Sequence, residues 1–164
     1  MNKIKVFISH SSKDEYFAKS LVQLLKVSLL GLKAEEIRCT SVDGTKMKPG
    51  AHFNEILVSE ISDSDVFIAI LSEDSINSFY VAVEIGARWG SRKDIIPIMI
   101  NGLSPERIKA PLSSIHAVDS KSQAELPDLI ENIAAKVGYA SESHSSYLQS
   151  IISLMNLKPP IKWI

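Results

Sequence analysis

One carboxylate stands among apolar neighbours in the run Phe79 to Trp89 (FYVAVEIGARW), and it is Glu84. In a helix, Tyr80 lies one turn before it on the same face. An aromatic ring paired with a carboxylate suits a flat cationic ring carried on a ribose. The aromatic stacks on that ring, while the carboxylate takes sugar hydroxyls and faces developing positive charge. The plainer alternative is an i,i+4 ion pair between Glu84 and Arg88, worth about 0.2–0.5 kcal/mol on an exposed helix. A second polar cluster, Ser9, His10 and Ser11, directly follows the apolar run IKVFI. Its backbone N–H groups and hydroxyls suit ribose and phosphate oxygens. A structural alternative exists here too: Ser11 or Ser12 caps the next helix, with Glu15 completing a capping box from Ser12. His10 offers an imidazole to this cluster as a candidate general base, against the ordinary polar role of a turn histidine.

Other chemistries find no support. No Gly-x-Gly-x-x-Gly fingerprint or phosphate-binding P-loop occurs, which disfavours redox use of a dinucleotide and ATP hydrolysis. His52, His116 and His144 are scattered without metal-ligand spacing, so no metal is expected. Cys39 is the single cysteine, which excludes an intramolecular disulfide and a thiolate cluster and fits a reducing cytoplasm. A formal net charge of −1 gives no overall basic field for nucleic acid. The longest apolar stretch, around residues 16–32, is interrupted by Lys19, Gln23 and Lys26 and falls short of the roughly 18 residues a membrane span needs. At 164 residues, with 45% hydrophobic and 23% charged side chains, the chain suits one soluble globular domain.

The elements that must position these residues follow from hydrophobic periodicity. Residues 4–8 read as a first strand, and Phe17, Leu21, Leu24 and Leu25 as a buried helix face. Residues 36–40 give a second strand and 41–50 (SVDGTKMKPG) a loop. Phe53, Ile56, Leu57 and Ile61 mark a second helix. Residues 65–71 (DVFIAIL), apolar on both faces, read as a central parallel strand. A helix over 76–90 follows, then a strand over 94–100 whose Pro97 argues for an edge-ward position. A short strand near 115–118 and a helix carrying Leu126, Leu129, Ile130, Ile133 and Val137 complete five β–α units. That alternation predicts an α/β, flavodoxin-like three-layer fold, with a mostly parallel five-stranded sheet in the order 2-1-3-4-5. Ligands in such sheets bind beyond the carboxyl ends of the strands, where strand order reverses. Here that point lies between strands one and three, which directs attention to Ser9–Asp14 and Ser72–Glu84. The chain divides into a domain over 1–138 and an extension over 139–164. The extension carries one more helix face (Leu148, Ile151, Ile152, Met155) and then KPPIKWI, which reads either as an extended linker toward a further domain or as a docked terminal segment.

Three segments carry a family resemblance. FISHSSKDEYFAKSL resembles the opening of bacterial TIR (Toll/interleukin-1 receptor) domains, with an Asp a few residues after the Phe-Ile-Ser-His run. SVDGTKMKPGAHF is similar to their loop after strand two. DVFIAILSEDSINSFYVAVE resembles the third strand and the Ser-x-Trp-Cys-x-x-Glu signature. Ser78, Tyr80 and Glu84 fall on the Ser, aromatic and Glu positions, with Tyr80 in place of the common Trp and Val81 in place of Cys. The resemblance, over roughly residues 3–138, implies an NAD+ glycohydrolase releasing nicotinamide and ADP-ribose or a cyclic isomer. It implies Glu84 as the catalytic group, with Ser9, His10, Ser11, Ser78, Tyr80, Lys46, Gly50 and Phe53 around the substrate. Asp43, Gly44 and Pro49 belong to the same loop, as a lid or a contact to another copy. NAD+ is then a substrate and no cofactor is expected. The resemblance further implies self-association with other TIR domains as the activating step, and a role in bacterial antiphage defence or as an effector. The alternative within the same family is a non-catalytic TIR–TIR adaptor module.

Overall fold

The computed structural model of the chain describes residues 3–40 and 55–161. Five strands form one parallel sheet: β1 (Val6–Ser9), β2 (Ile37–Thr40), β3 (Val66–Leu71), β4 (Ile96–Met99) and β5 (Val118–Asp119). Their order is β2-β1-β3-β4-β5, the predicted topology. β1 and β3 are buried along their whole length, and Val6 to Ser9 register with Val66 to Ala69.

Alternation along the strands sends side chains into two cores. Val6, Ile8, Val66, Ile68 and Ile70 join the helices α1 (Glu15–Ser28) and α4 (Glu125–Val137) on one face. Phe7, Phe67, Ala69 and Leu71 join the helices α2 (Glu55–Asp63) and α3 (Phe79–Gly90) on the other. The Phe7 and Phe67 rings stack across the register at 5.3 Å.

Three local expectations change. The helix expected over 76–90 begins as a 3-10 turn, Ser75–Asn77, and α3 starts only after Ser78. Ser78 takes an extended conformation (φ −85°, ψ 121°), which interrupts the helix and leaves its hydroxyl to cap the next one. β4 is an interior strand, yet Pro97 costs no ladder bond. Ile100 donates to Leu71, so alternation turns the Pro97 nitrogen toward β5, whose pairing with β4 covers only Ile98 and Met99. The third change concerns the C-terminal helix.

Gly138 adopts φ 74°, a left-handed conformation that glycine accepts without strain, and it ends α4. The chain then meets the end of α1: Leu30 N–H donates to the Ala140 carbonyl at 2.8 Å and Glu142 N–H to that of Ser28 at 2.7 Å. A last helix, α5 (His144–Met155), lies along α1 and buries Tyr147, Ile151 and Leu154 in the α1/α4 core. Ile151 is buried as expected, while Leu148, Ile152 and Met155 are half-buried and Tyr147 and Leu154 take the innermost positions, the Tyr147 ring being the largest group on that face. Among the described residues no helix is long and apolar enough to cross a membrane. Ile151→Ala is expected to lower the stability of the whole domain by about 2–5 kcal/mol in denaturant titration, as for a core truncation. A separate early transition for α5, with the main one unmoved, would show that α5 is not part of that core.

Candidate functional site

The β1 strand changes chemistry at its carboxyl end. After three buried apolar residues comes Ser9, fully buried, and by alternation with Phe7 it points to the α2/α3 face. There its hydroxyl donates to Oε2 of Glu84. Glu84 is held inward by the packing of α3 around it, with Val81 and Ile85 in the core, and is only 2% exposed. A carboxylate removed from water is costly unless donors meet it, so the serine at this strand end is part of what makes position 84 tenable.

Arg88 does not fill that role. Its Nη1 donates to the carbonyls of Ile61 and Ser64, each at 3.0 Å, and its Nε to that of Asp94 at 2.9 Å. The guanidinium lies 5.8 Å from the Phe67 ring centre. The i,i+4 ion pair is thus replaced. The carbonyls at the end of α2 lack helical partners and sit at the negative end of its dipole, so they attract the cation instead. Arg88 anchors the far end of α3, and Glu84 turns to β1.

Tyr80 is half-buried one turn before Glu84, with its ring edge-on to Phe79 at 6.5 Å. Ser78 accepts from the Val81 N–H at 3.4 Å, so its hydroxyl serves as the α3 cap. His10 is 4% exposed and turns away from Glu84. Its Nδ1 is 2.8 Å from the Ser11 carbonyl, which can only accept, so Nδ1 carries the hydrogen. Nε2 is then the acceptor of a neutral ring, 3.4 Å from Sγ of Cys39, which packs on the α1 side of the sheet. Burial pushes His10 below its ordinary value and the Cys39 thiol up to about 11. This geometry favours the ordinary polar role of His10 over the general base: its acceptor nitrogen faces a thiol, and what it can present to the crevice is backbone.

Ser11 and Ser12 do not cap the first helix. A 3-10 turn, Ser12–Asp14, moves the start of α1 to Asp14, and Glu15 pairs with Lys19 at 3.0 Å. The Ser11 hydroxyl donates to Oδ2 of Asp14 at 2.6 Å, as does the Ser72 hydroxyl, also at 2.6 Å. Asp14, Ser72 and Cys39 were not among the expected site residues. The first two lie inside the segments that the switch-point rule indicates, which is the signal that points to them. Lys46, Gly50 and Phe53, with Asp43, Gly44 and Pro49, lie outside the described residues.

Two cavities bounded by described residues lie elsewhere. One, of about 580 Å3, sits between the Val81–Ile85 flank of α3 and the segment around Ile108 and Leu112. The other, of about 1020 Å3, lies between Trp89, the entry to β4 and Leu129 of α4. The switch-point geometry and the buried carboxylate favour the Glu84 edge, and chemistry follows the reactive group. No metal-binding cluster occurs among the described residues.

The strand order, the carboxylate at the β1/β3 edge and the chain pattern converge on one family, whose model, described as TIR domain, matches residues 6–133. The chain belongs to the TIR domain family. It is 28% identical over 102 residues to the uncharacterized protein YddK of Bacillus subtilis (strain 168), over 62% of this chain and 38% of that protein. The chain thus spans well under half the length of that relative. The TIR domain of the Toll-related receptor TRR-2 from Hydra magnipapillata has the same fold, with a TM-score of 0.56 at 19% identity, covering 81% of this chain and 97% of that one. TIR domains include NAD+ hydrolases and non-catalytic members, and they interact with other TIR domains.

The His10–Cys39 contact gives a pH prediction. Because the folded pKa of His10 lies below 6.5, the stability it contributes is full above that pH and is lost as pH falls toward the folded value. NMR titration should place the His10 midpoint below 6.5, with the neutral ring carrying its hydrogen on Nδ1. Cys39 should react slowly with iodoacetamide near about pH 8 and faster only as pH approaches 11. Rapid alkylation at neutral pH would contradict the half-buried, protonated thiol.

Proposed function

We propose that this TIR domain cleaves the nicotinamide–ribose bond of NAD+, with Glu84 as the carboxylate that stabilises the ribosyl cation. The observation that carries this reading is the buried Glu84 carboxylate bonded to Ser9 at the β1/β3 switch point, while Arg88 is committed elsewhere. In the reaction the ribose C1′–nitrogen bond breaks and both electrons pass to the pyridinium nitrogen. Nicotinamide leaves neutral, so no general acid is required. The sugar becomes oxocarbenium-like, and an anion fixed beside it lowers the barrier. Water adds to C1′ and gives up a proton, yielding ADP-ribose; attack by an adenine nitrogen of the same molecule yields a cyclic isomer instead. Glu84 also accepts from ribose hydroxyls, and Ser9 orients it.

Tyr80 supplies the face on which the nicotinamide ring stacks. Backbone N–H groups of Ser9, His10 and Ser11 take ribose and phosphate oxygens, next to Ser78 at the start of α3. Lys46, Gly50 and Phe53, outside the described residues, are further substrate contacts in this reading, as the family resemblance implies. NAD+ is the substrate in this reading, drawn from the cytoplasm, and self-assembly with further TIR domains is the trigger, in antiphage defence or effector action.

The test is nicotinamide release from NAD+ at high protein concentration. Glu84→Gln and Glu84→Ala should each lower kcat by about 10²–10³-fold. Tyr80→Ala should raise KM about tenfold, with Tyr80→Phe near wild type, as expected when stacking is lost or kept. Turnover that survives both Glu84 substitutions would remove the assignment. Absence of turnover at every concentration, with self-association intact, would leave the adaptor module.

A further inference from the structure

We infer that Asp14 is a positioning residue for this site, a tie that holds the β1–α1 loop against the β3–α3 loop and so sets Glu84 relative to Ser9. The inference deepens the proposed NAD+ reading and rests on it for its kinetic consequence.

Asp14 occupies the N-cap position of α1, where a carboxylate ordinarily accepts from the first free helical N–H groups and gains about 0.5–2 kcal/mol. It makes no such bond. Its carboxylate instead accepts from Ser11 on its own loop and from Ser72 on the opposite one, both at 2.6 Å on Oδ2. The residue is 1% exposed, and hydrogen bonds to a buried charge are strong.

From Ser72 the network continues into the start of the β3–α3 connection. Ser75 N–H donates to the Ser72 hydroxyl at 3.1 Å, and Ser72 N–H donates to the Ser75 hydroxyl at 2.7 Å. Ser78 N–H then donates to the Ser75 carbonyl at 3.0 Å, and Ser78 caps α3. Counted along the chain, one segment runs from Ser9 at the end of β1 to Asp14 and the other from Ser72 to Glu84 in α3. The two meet at Ser9–Glu84 and at Asp14–Ser72, both buried, and at an exposed Lys13–Asp74 ion pair, where water weakens the attraction. The second contact therefore constrains the first. Without it, α3 can shift along the sheet edge, and a misplacement of about 1 Å at a reacting centre costs up to about 10²-fold in rate.

The test has two arms on the intact chain. In the first, NMR hydrogen exchange is compared for wild type, Asp14→Ala, Ser72→Ala and Asp14→Asn, without NAD+. The amides of Ser75 and Ser78 should exchange about tenfold faster in the two alanine variants, relative to Ile68 and Leu21 in the core. Asp14→Asn keeps a carbonyl oxygen that can accept both hydroxyls, so it should remain within about threefold of wild type. In the second arm, kcat for nicotinamide release should fall about tenfold in Asp14→Ala and in Ser72→Ala, with KM changing less than about threefold. The double variant should be no worse than Asp14→Ala, and Asp14→Asn should restore most of the rate.

Exchange that is unchanged at Ser75 and Ser78, or faster everywhere by the same factor, overturns the inference. So does a wild-type kcat in both alanine variants, or additive losses in the double variant. Should Asp14→Ala not fold, Ser72→Ala reads the same tie from the other loop. A wild type that releases no nicotinamide removes the proposed reaction, and the exchange arm then decides the tie alone.

Discussion

A carboxylate out of water must be met by donors, and that requirement organises the carboxyl edge of this sheet. Two acidic residues, Glu84 and Asp14, are buried there at 2% and 1% exposure, and serine hydroxyls serve both. Serine is well matched to the task. It carries one donor on a short arm and also leaves lone pairs for backbone N–H groups, as Ser72 does for Ser75. The strands themselves are apolar on both faces, so polar side chains can gather only where the strands end. The same constraint that makes β1 and β3 a core makes their termini the place for chemistry.

Helix α3 joins the edge to the rest of the domain. Its two buried charges point to different tasks although they are one turn apart. Arg88 takes the loose carbonyls at the end of α2 and at the entry to β4, which fixes one end of the helix. Glu84 is then released from a local pairing and faces β1. The neighbouring His10 and Cys39 occupy the other side of the sheet as a neutral pair, each held in its uncharged form by burial. Among the described residues, the buried charges at this edge of β1 and β3 are the carboxylates of Glu84 and Asp14.

Several features of this arrangement were legible in the residues. Unbroken apolar runs at 65–71 and around Val6–Ile8 mark strands covered on both faces, and their alternation with helical periodicity leads to the strand order. The switch-point rule then directs attention to the two segments that hold Ser9, Ser11, Asp14, Ser72 and Glu84. Less legible was what each polar side chain would do there. Ser11 and Ser12 read as caps because capping is a local pattern, whereas the actual partner of Ser11 is shared with Ser72, 58 residues beyond that partner. His10 read as a possible base because its tautomer and its cysteine neighbour depend on a strand that pairs with its own. On α5 the buried face kept Ile151 but turned toward Tyr147 and Leu154, because adjacent faces of a helix differ only in which the neighbouring helix can accommodate.

Periodicity and composition thus determined the class of fold, since strands, helices and their alternation depend on near neighbours and on the bulk requirement to bury apolar surface; the sheet order, and with it the edge at which chemistry gathers, followed from taking that class as flavodoxin-like. Only the tertiary structure decided which partner each buried polar group takes. Glu84 chose Ser9 over Arg88, and Asp14 chose Ser72 over its own helix. Such choices compare bonds between residues far apart in the chain, and their relative strength exists only once burial has removed water from the competition.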